Sequence, residues 1–154
     1  MIQSVISDSV DKTRELGALF ARNVDAPRVF ALRGDLGCGK TEFVRGFVSK
    51  LNESEDIVSS PTFMLWNLYE INEITVNHLD LYRLSSIDDV LELGIIDVWE
   101  TEDNYTFIEW AEKIEEILPK DVVNFFFKHI DENTREIQIE TDSDVLIQTL
   151  KKFL

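Results

Sequence analysis

Residues 28–47 read Arg-Val-Phe-Ala-Leu-Arg-Gly-Asp-Leu-Gly-Cys-Gly-Lys-Thr-Glu-Phe-Val-Arg-Gly-Phe. Within them, Gly34 to Thr41 satisfies G-x-x-x-x-G-K-[ST], the phosphate-binding P-loop pattern. The spacing has a physical reason. Glycines let the backbone fold tightly, so that successive N–H groups point into one concavity. That concavity opens onto a helix N-terminus, whose unpaired N–H groups and dipole favour an anion. Lys40 is then placed to reach the β- and γ-phosphates, and the Thr41 hydroxyl to bind Mg²⁺.

The flanks support this reading over an ordinary glycine-rich turn. Val29-Phe30-Ala31-Leu32 is a short apolar run suited to a buried strand. Phe43, Val44, Phe47, Val48 and Leu51 then recur at helical spacing. Strand, glycine loop and helix follow one another as the motif requires. Gly37, Cys38, Gly39, Lys40, Thr41 and Glu42 form the expected nucleotide-binding run. Cys38 contributes its backbone N–H there, and Glu42 points outward from the helix start, where an acid suits the dipole.

At 154 residues the chain reads as one domain, 1–154, with a core of its own. Hydrophobic content of 44% and charged content of 29% are those of a globular protein. No apolar run approaches a membrane span. The first residues lack the basic and apolar regions of a signal peptide, and one cysteine cannot form an internal disulfide; the expectation is a cytoplasmic protein. The formal net charge of −15 argues against broad nucleic-acid binding and against an anionic membrane surface. A protein this acidic needs a local cationic site and a metal ion to hold ATP, and the P-loop offers both.

The remaining chain reads as a mixture of helices and strands. Residues 7–23 read as a capped amphipathic helix, with Ser7 or Ser9 as N-cap and Leu16, Leu19 and Phe20 inward. Ser60-Pro61-Thr62-Phe63 is a stiff, hydroxyl-bearing segment where P-loop proteins keep a switch loop. Met64 to Ile71 and Ile74 to Leu84 predict a hairpin around Asn72-Glu73. Alternation in its second strand sets His78, Asp80 and Tyr82 on one face, which makes Asp80 the leading Walker-B-like carboxylate. Residues 85–99 predict one short helix stopped at Gly94, and 97–104 a loop. Tyr105 to Trp110 is a strand that delivers Glu109 at its carboxyl end, where open α/β sheets bind ligands. Ala111 to Leu118 reads as a short helix. Val122 to Ile130 and Arg135 to Thr141 read as strands. Asp142 to Leu154 reads as a final helix with Val145, Leu146, Leu150 and Leu154 apolar. The fold class expected is α/β: a single P-loop NTPase-like domain with a central mixed β-sheet flanked by helices.

Taken together, these motifs resemble the TsaE (YjeE) family, bacterial P-loop ATPases of tRNA threonylcarbamoyladenosine biosynthesis. The resemblance rests on Gly34 to Thr41, on Phe43-Val44-Arg45-Gly46, on Ser60 to Phe63 and on His78, Asp80, Tyr82 and Arg83. It extends to Thr13, Leu16 and Gly17, more loosely to Glu92-Leu93-Gly94, and to Glu109-Trp110. Two positions depart from the pattern: Glu42 stands where a second hydroxyl is common, and Ala111 where proline is usual. The resemblance implies that Lys40 and the loop hold ATP or ADP phosphates, that Thr41 and Glu109 hold Mg²⁺ with Asp80 in or near its shell, and that Trp110 and Arg135 lie near the nucleotide. On that reading Lys40, Asp80 and Glu109 are the catalytic set. It further implies that the protein works on TsaB and TsaD, which handle the tRNA, to support modification at position 37. Two other readings stand beside it. A small-molecule kinase would need an arginine-bearing lid, yet the arginines do not cluster. A nucleotide-gated binding module with little turnover is hard to separate from a slow ATPase. A GTPase is disfavoured by the absence of N-K-x-D.

Overall fold

Four parallel strands carry the centre of a seven-stranded mixed sheet. The computed structural model describes residues 1–23, 27–52, 57–58 and 65–154. The strands are β1 (Ile2–Ser7), β2 (Val29–Arg33), β3 (Trp66–Ile71), β4 (Ile74–Asp80), β5 (Asn104–Glu109), β6 (Val123–His129) and β7 (Arg135–Glu140). Their spatial order is β1-β7-β6-β2-β5-β4-β3. β6, β2, β5 and β4 run parallel, whereas β7 against β6, β1 against β7 and β3 against β4 are antiparallel. The helices are α1 (Val10–Phe20), α2 (Lys40–Asn52), α3 (Ile87–Glu92), α4 (Ile95–Glu100) and α5 (Asp144–Phe153), with a 3₁₀ helix at Ala111–Ile117. The expected single α/β domain is the one observed.

The period-two geometry of strands divides the core into two layers. On one face Phe30, Leu32, Phe107 and Phe125 pack under α1, α2 and α5 with Leu16, Phe20, Phe43, Phe47, Leu146 and Leu150. Phe30 and Phe107 stack with centroids 4.8 Å apart, and Phe43 lies 4.7 Å from Phe125. On the other face Val29, Ala31, Leu79 and Ile108 meet Val90, Ile95 and Ile114 of the short helices. Burying each large apolar side chain contributes about 1.5–3 kcal/mol. α1 and α2 approach closely because Gly17 and Gly46 lie in their crossing. A Cβ on Gly17 would stand 2.0 Å from the Phe43 carbonyl oxygen, and one on Gly46 would stand 2.0 Å from that of Arg14.

Several boundaries differ from those read in the sequence. Ile2–Ser7 is an edge strand, not a helix start: Ser7 pairs with Arg135, while Ser9 caps α1 by accepting from Lys12 N–H at 3.1 Å. A half-exposed edge strand with polar interruptions leaves little apolar alternation to read. Gly94 does not end the helical region. It takes a left-handed φ of 75° and joins α3 to α4, so residues 97–100 are helical, not loop. β4 stops at Asp80, and Tyr82 lies beyond it with its ring 4.9 Å from that of Trp110. In α5 the inward residues are Leu146, Ile147 and Leu150, whereas Val145 and Leu154 are exposed. The hairpin turn at Asn72 is as expected, with φ of 55° at that residue. Ser60, Pro61, Thr62 and Phe63, and Met64 at the expected strand start, lie outside the described residues.

Candidate functional site

β2 ends at Arg33 and the chain then turns through Gly34 to Gly39 into α2. Gly34, Gly37 and Gly39 have φ of 142°, 77° and 107°, values that side-chain-bearing residues rarely adopt. α2 starts at Lys40, and Phe43 N–H donates to the Gly39 carbonyl at 3.0 Å. The first-turn N–H groups have no acceptor within the helix and lie next to the loop. Arg135, at the start of β7, lies beneath. Its Nη1 donates to the Cys38 carbonyl at 3.0 Å, and a Cβ on Gly39 would meet that nitrogen at 2.5 Å. The resemblance placed Arg135 near the nucleotide; here it forms the floor of the loop.

The two carboxylates come from neighbouring strands. Asp80 of β4 and Glu109 of β5 are register partners at the carboxyl ends of parallel strands. Both project to the α2 side of the sheet, since Leu79 and Ile108 face the other layer. Lys40 Nζ donates to the Gly34 carbonyl at 2.5 Å and stands 3.8 Å from Glu109 Oε1. The same ammonium lies 5.7 Å from the Trp110 ring centroid, within cation–π range. Asp80 Oδ1 accepts from Tyr82 N–H at 2.9 Å, which fixes its carboxylate at the strand end. Trp110 is left-handed, with φ of 61°, and turns the chain sharply after Glu109 into the 3₁₀ helix that the buried Ala111 opens. Backbone strain of this kind concentrates at functional sites.

Lys40, Asp80, Glu109 and Arg135 are all buried, and charged side chains are seldom buried without a task or a partner. They line a cleft of about 460 Å³ with Leu36, Gly37, Gly39, Thr41, Glu42, Trp110 and Val10 of α1. That volume suits a small-molecule ligand. Among the described residues, no three His, Cys, Asp or Glu side chains gather closely enough to hold a metal by themselves. The oxygen donors at hand are Thr41, Asp80 and Glu109, a set suited to a hard cation that also takes phosphate oxygens.

Glu42 differs from its expected outward orientation. Its carboxylate bridges Arg14 Nε of α1 at 2.7 Å and Arg45 Nη1 at 2.5 Å, while Arg45 Nη2 donates to the Val58 carbonyl at 2.9 Å. Partial burial pushes its pKa up, but the two arginine hydrogen bonds outweigh this and hold it below the usual carboxylate value. Glu42 edges the cleft as the link between α1 and α2. Cys38 is buried at the back of the loop, and burial pushes its thiol pKa up against the lowering influence of Lys40. The sequence reading gave His78 no role; its ring reaches Glu109, with Nε2 2.9 Å from Oε2. The signal was its alternation with Asp80, which sets both on one face.

The chain is similar in sequence and in fold to known proteins. A family model described as "Threonylcarbamoyl adenosine biosynthesis protein TsaE" matches residues 7–137. The tRNA threonylcarbamoyladenosine biosynthesis protein TsaE of Nostoc is 38% identical over 132 residues, covering 84% of this chain and 80% of that protein. The same-named proteins of Rickettsia felis and Bacillus subtilis are each 33% identical, over 90% and 82% of this chain and 80% and 78% of their own lengths. The crystal structure of Bacillus subtilis YdiB superposes with a TM-score of 0.73 at 25% identity, covering 99% of this chain and 93% of that one. With the family match spanning the loop, both carboxylate-bearing strands and Arg135, this chain belongs to the TsaE family of threonylcarbamoyl adenosine biosynthesis proteins.

Proposed function

We propose that this protein binds Mg²⁺–ATP in the Lys40–Asp80–Glu109 cleft and hydrolyses it in support of tRNA N6-threonylcarbamoyladenosine formation at position 37. In this reading it acts in the cytoplasm on a TsaB–TsaD complex, and tRNA is engaged through those partners. The observation that carries the proposal is the convergence of Lys40, Asp80 and Glu109 at the mouth of the glycine loop.

Bound Mg²⁺–ATP supplies the scissile phosphoanhydride bond and the cation that offsets its charge. The chain supplies the rest. The N–H groups of Gly37, Gly39, Lys40 and Thr41 at the loop and the α2 N-terminus cradle the phosphates; Cys38 N–H, expected among them, instead donates to the Asp35 carbonyl at 3.2 Å, and Arg135 holds the loop from below. Lys40, which rests on the Gly34 carbonyl, reorients toward the phosphate oxygens and neutralises them. The Thr41 hydroxyl, Asp80 and Glu109 would hold the cation, and the two carboxylates would orient the attacking water. Trp110 and Leu36 shield the reacting end. The acidic remainder of the chain, at net −15, is consistent with a protein partner as its target and disfavours a direct grip on tRNA.

The test is single-turnover ATP hydrolysis with and without TsaB and TsaD, alongside complex formation. Turnover raised by the partners is the expected result. Nucleotide-dependent complex formation without turnover would make the chain a nucleotide-gated binding module, and absence of both would overturn the proposal.

A further inference from the structure

His78 is wholly buried, and its Nε2 lies 2.9 Å from Glu109 Oε2. The contact is diagonal: His78 is the register partner of Phe107, and Asp80 is that of Glu109. Such diagonal neighbours are within reach of long side chains. A carboxylate only accepts hydrogen bonds, so Nε2 is the donor. The other ring nitrogen, Nδ1, is buried with no hydrogen-bond partner among the described residues. A histidine kept only for packing would leave this nitrogen unsatisfied at a cost an apolar side chain avoids. The ring's polar function is therefore directed at Glu109.

We infer that His78 is a positioning residue that clamps Glu109 Oε2 and so presents Oε1 to the cleft. The inference rests on the role proposed above for Glu109. Glu109 has three rotatable side-chain bonds, and Lys40 stands 3.8 Å from its Oε1. Without the clamp, the carboxylate is free to swing onto the Lys40 ammonium and form a close pair. That pair would draw Lys40 from the phosphates and Glu109 from the cation. The clamp holds the two charges near each other but apart. The backbone of His78 lies within β4, and its ring is wholly buried on the face of the sheet that carries the α2-side core.

Two experiments test this, the first independent of turnover. Nitrogen-15 NMR of the nucleotide-free protein resolves the ring states of its two histidines, of which His129 is exposed. The buried ring is expected to carry its proton on Nε2, with a resonance that moves in Glu109→Gln; a proton on Nδ1 alone overturns the inference. The second compares His78→Leu, which fills the space without a donor, with His78→Gln, whose amide can reach the Nε2 position. His78→Leu is expected to lower single-turnover hydrolysis by about tenfold or more and to raise the Mg²⁺ concentration for half-maximal rate, with ATP affinity measured without metal changing less than about twofold. His78→Gln is expected to recover most of the rate. Equal losses in both variants, or unchanged kinetics in His78→Leu, overturn the inference. A wild-type protein without hydrolysis sinks the ATPase reading, while the NMR result still decides the contact.

Discussion

Asp80 and Glu109 face each other across the β4–β5 ladder, one at the end of each strand. Two carboxylates so placed repel one another, and they persist buried because Lys40, His78 and the Tyr82 amide engage them. On the function proposed above, the pair would hold the cation that accompanies the nucleotide. Asp80→Ala and Glu109→Ala are expected to retain nucleotide binding while single-turnover hydrolysis falls by about two orders of magnitude. Titration calorimetry beside rapid-quench kinetics checks this, and loss of binding in both would place the carboxylates in the nucleotide grip instead.

Lys40 is the loop's own cation, buried between the Gly34 carbonyl and Glu109. Lys40→Ala is expected to remove measurable ATP binding by calorimetry, because no other side chain among the described residues offers an ammonium at that point of the cleft. Normal binding by the variant would remove the phosphate assignment.

Glu42 joins α1 to α2 through Arg14 and Arg45. Its folded pKa lies below the ordinary 4.5, so the stabilisation is present above 4.5 and fades as pH falls through the folded value. Glu42→Gln is expected to cost about 1 kcal/mol at neutral pH, a modest figure because all three groups are partly exposed. Urea unfolding at neutral and at acid pH checks the sign: the difference from wild type should shrink in acid.

Gly17→Ala drives a methyl group into the Phe43 carbonyl, a backbone atom that cannot step aside. Separation of α1 from α2 should cost about 3 kcal/mol or more. Gly94→Ala meets no atom within 4 Å and bears only the left-handed φ of 75°, at about 1 kcal/mol. Thermal unfolding should rank the two in that order.

Cys38 sits in the loop with a raised thiol pKa because it is buried. Alkylation by iodoacetamide is expected to be at least about tenfold slower in the folded protein than in urea. Rapid modification in the native state would reopen redox control of the loop.

Glycine spacing made the turn between β2 and α2 legible in the sequence, since the positive φ values of Gly34, Gly37 and Gly39 are available to few other residues. The hairpin at Asn72, the strand ending in Glu109 and the α/β class were legible for a like reason: local periodicity records which face is buried. Ile2–Ser7 was not, because an edge strand half exposed to water carries little of that record. Nor was Gly94 as a joint, since a helix stop and a helix–helix corner call for the same left-handed residue. The amino-acid order by itself therefore determined the glycine loop and most of the buried faces, and it supplied the expectation of a phosphate-bearing ligand. Asp80 and Glu109 were already the candidate carboxylates in the sequence, and only the tertiary structure decided how they meet the loop and each other. Asp80 and Glu109 become partners through strand register, Arg135 reaches the loop from the far hairpin, and His78 finds Glu109 across the sheet. Those are contacts between distant segments, fixed by packing, and no local pattern encodes them.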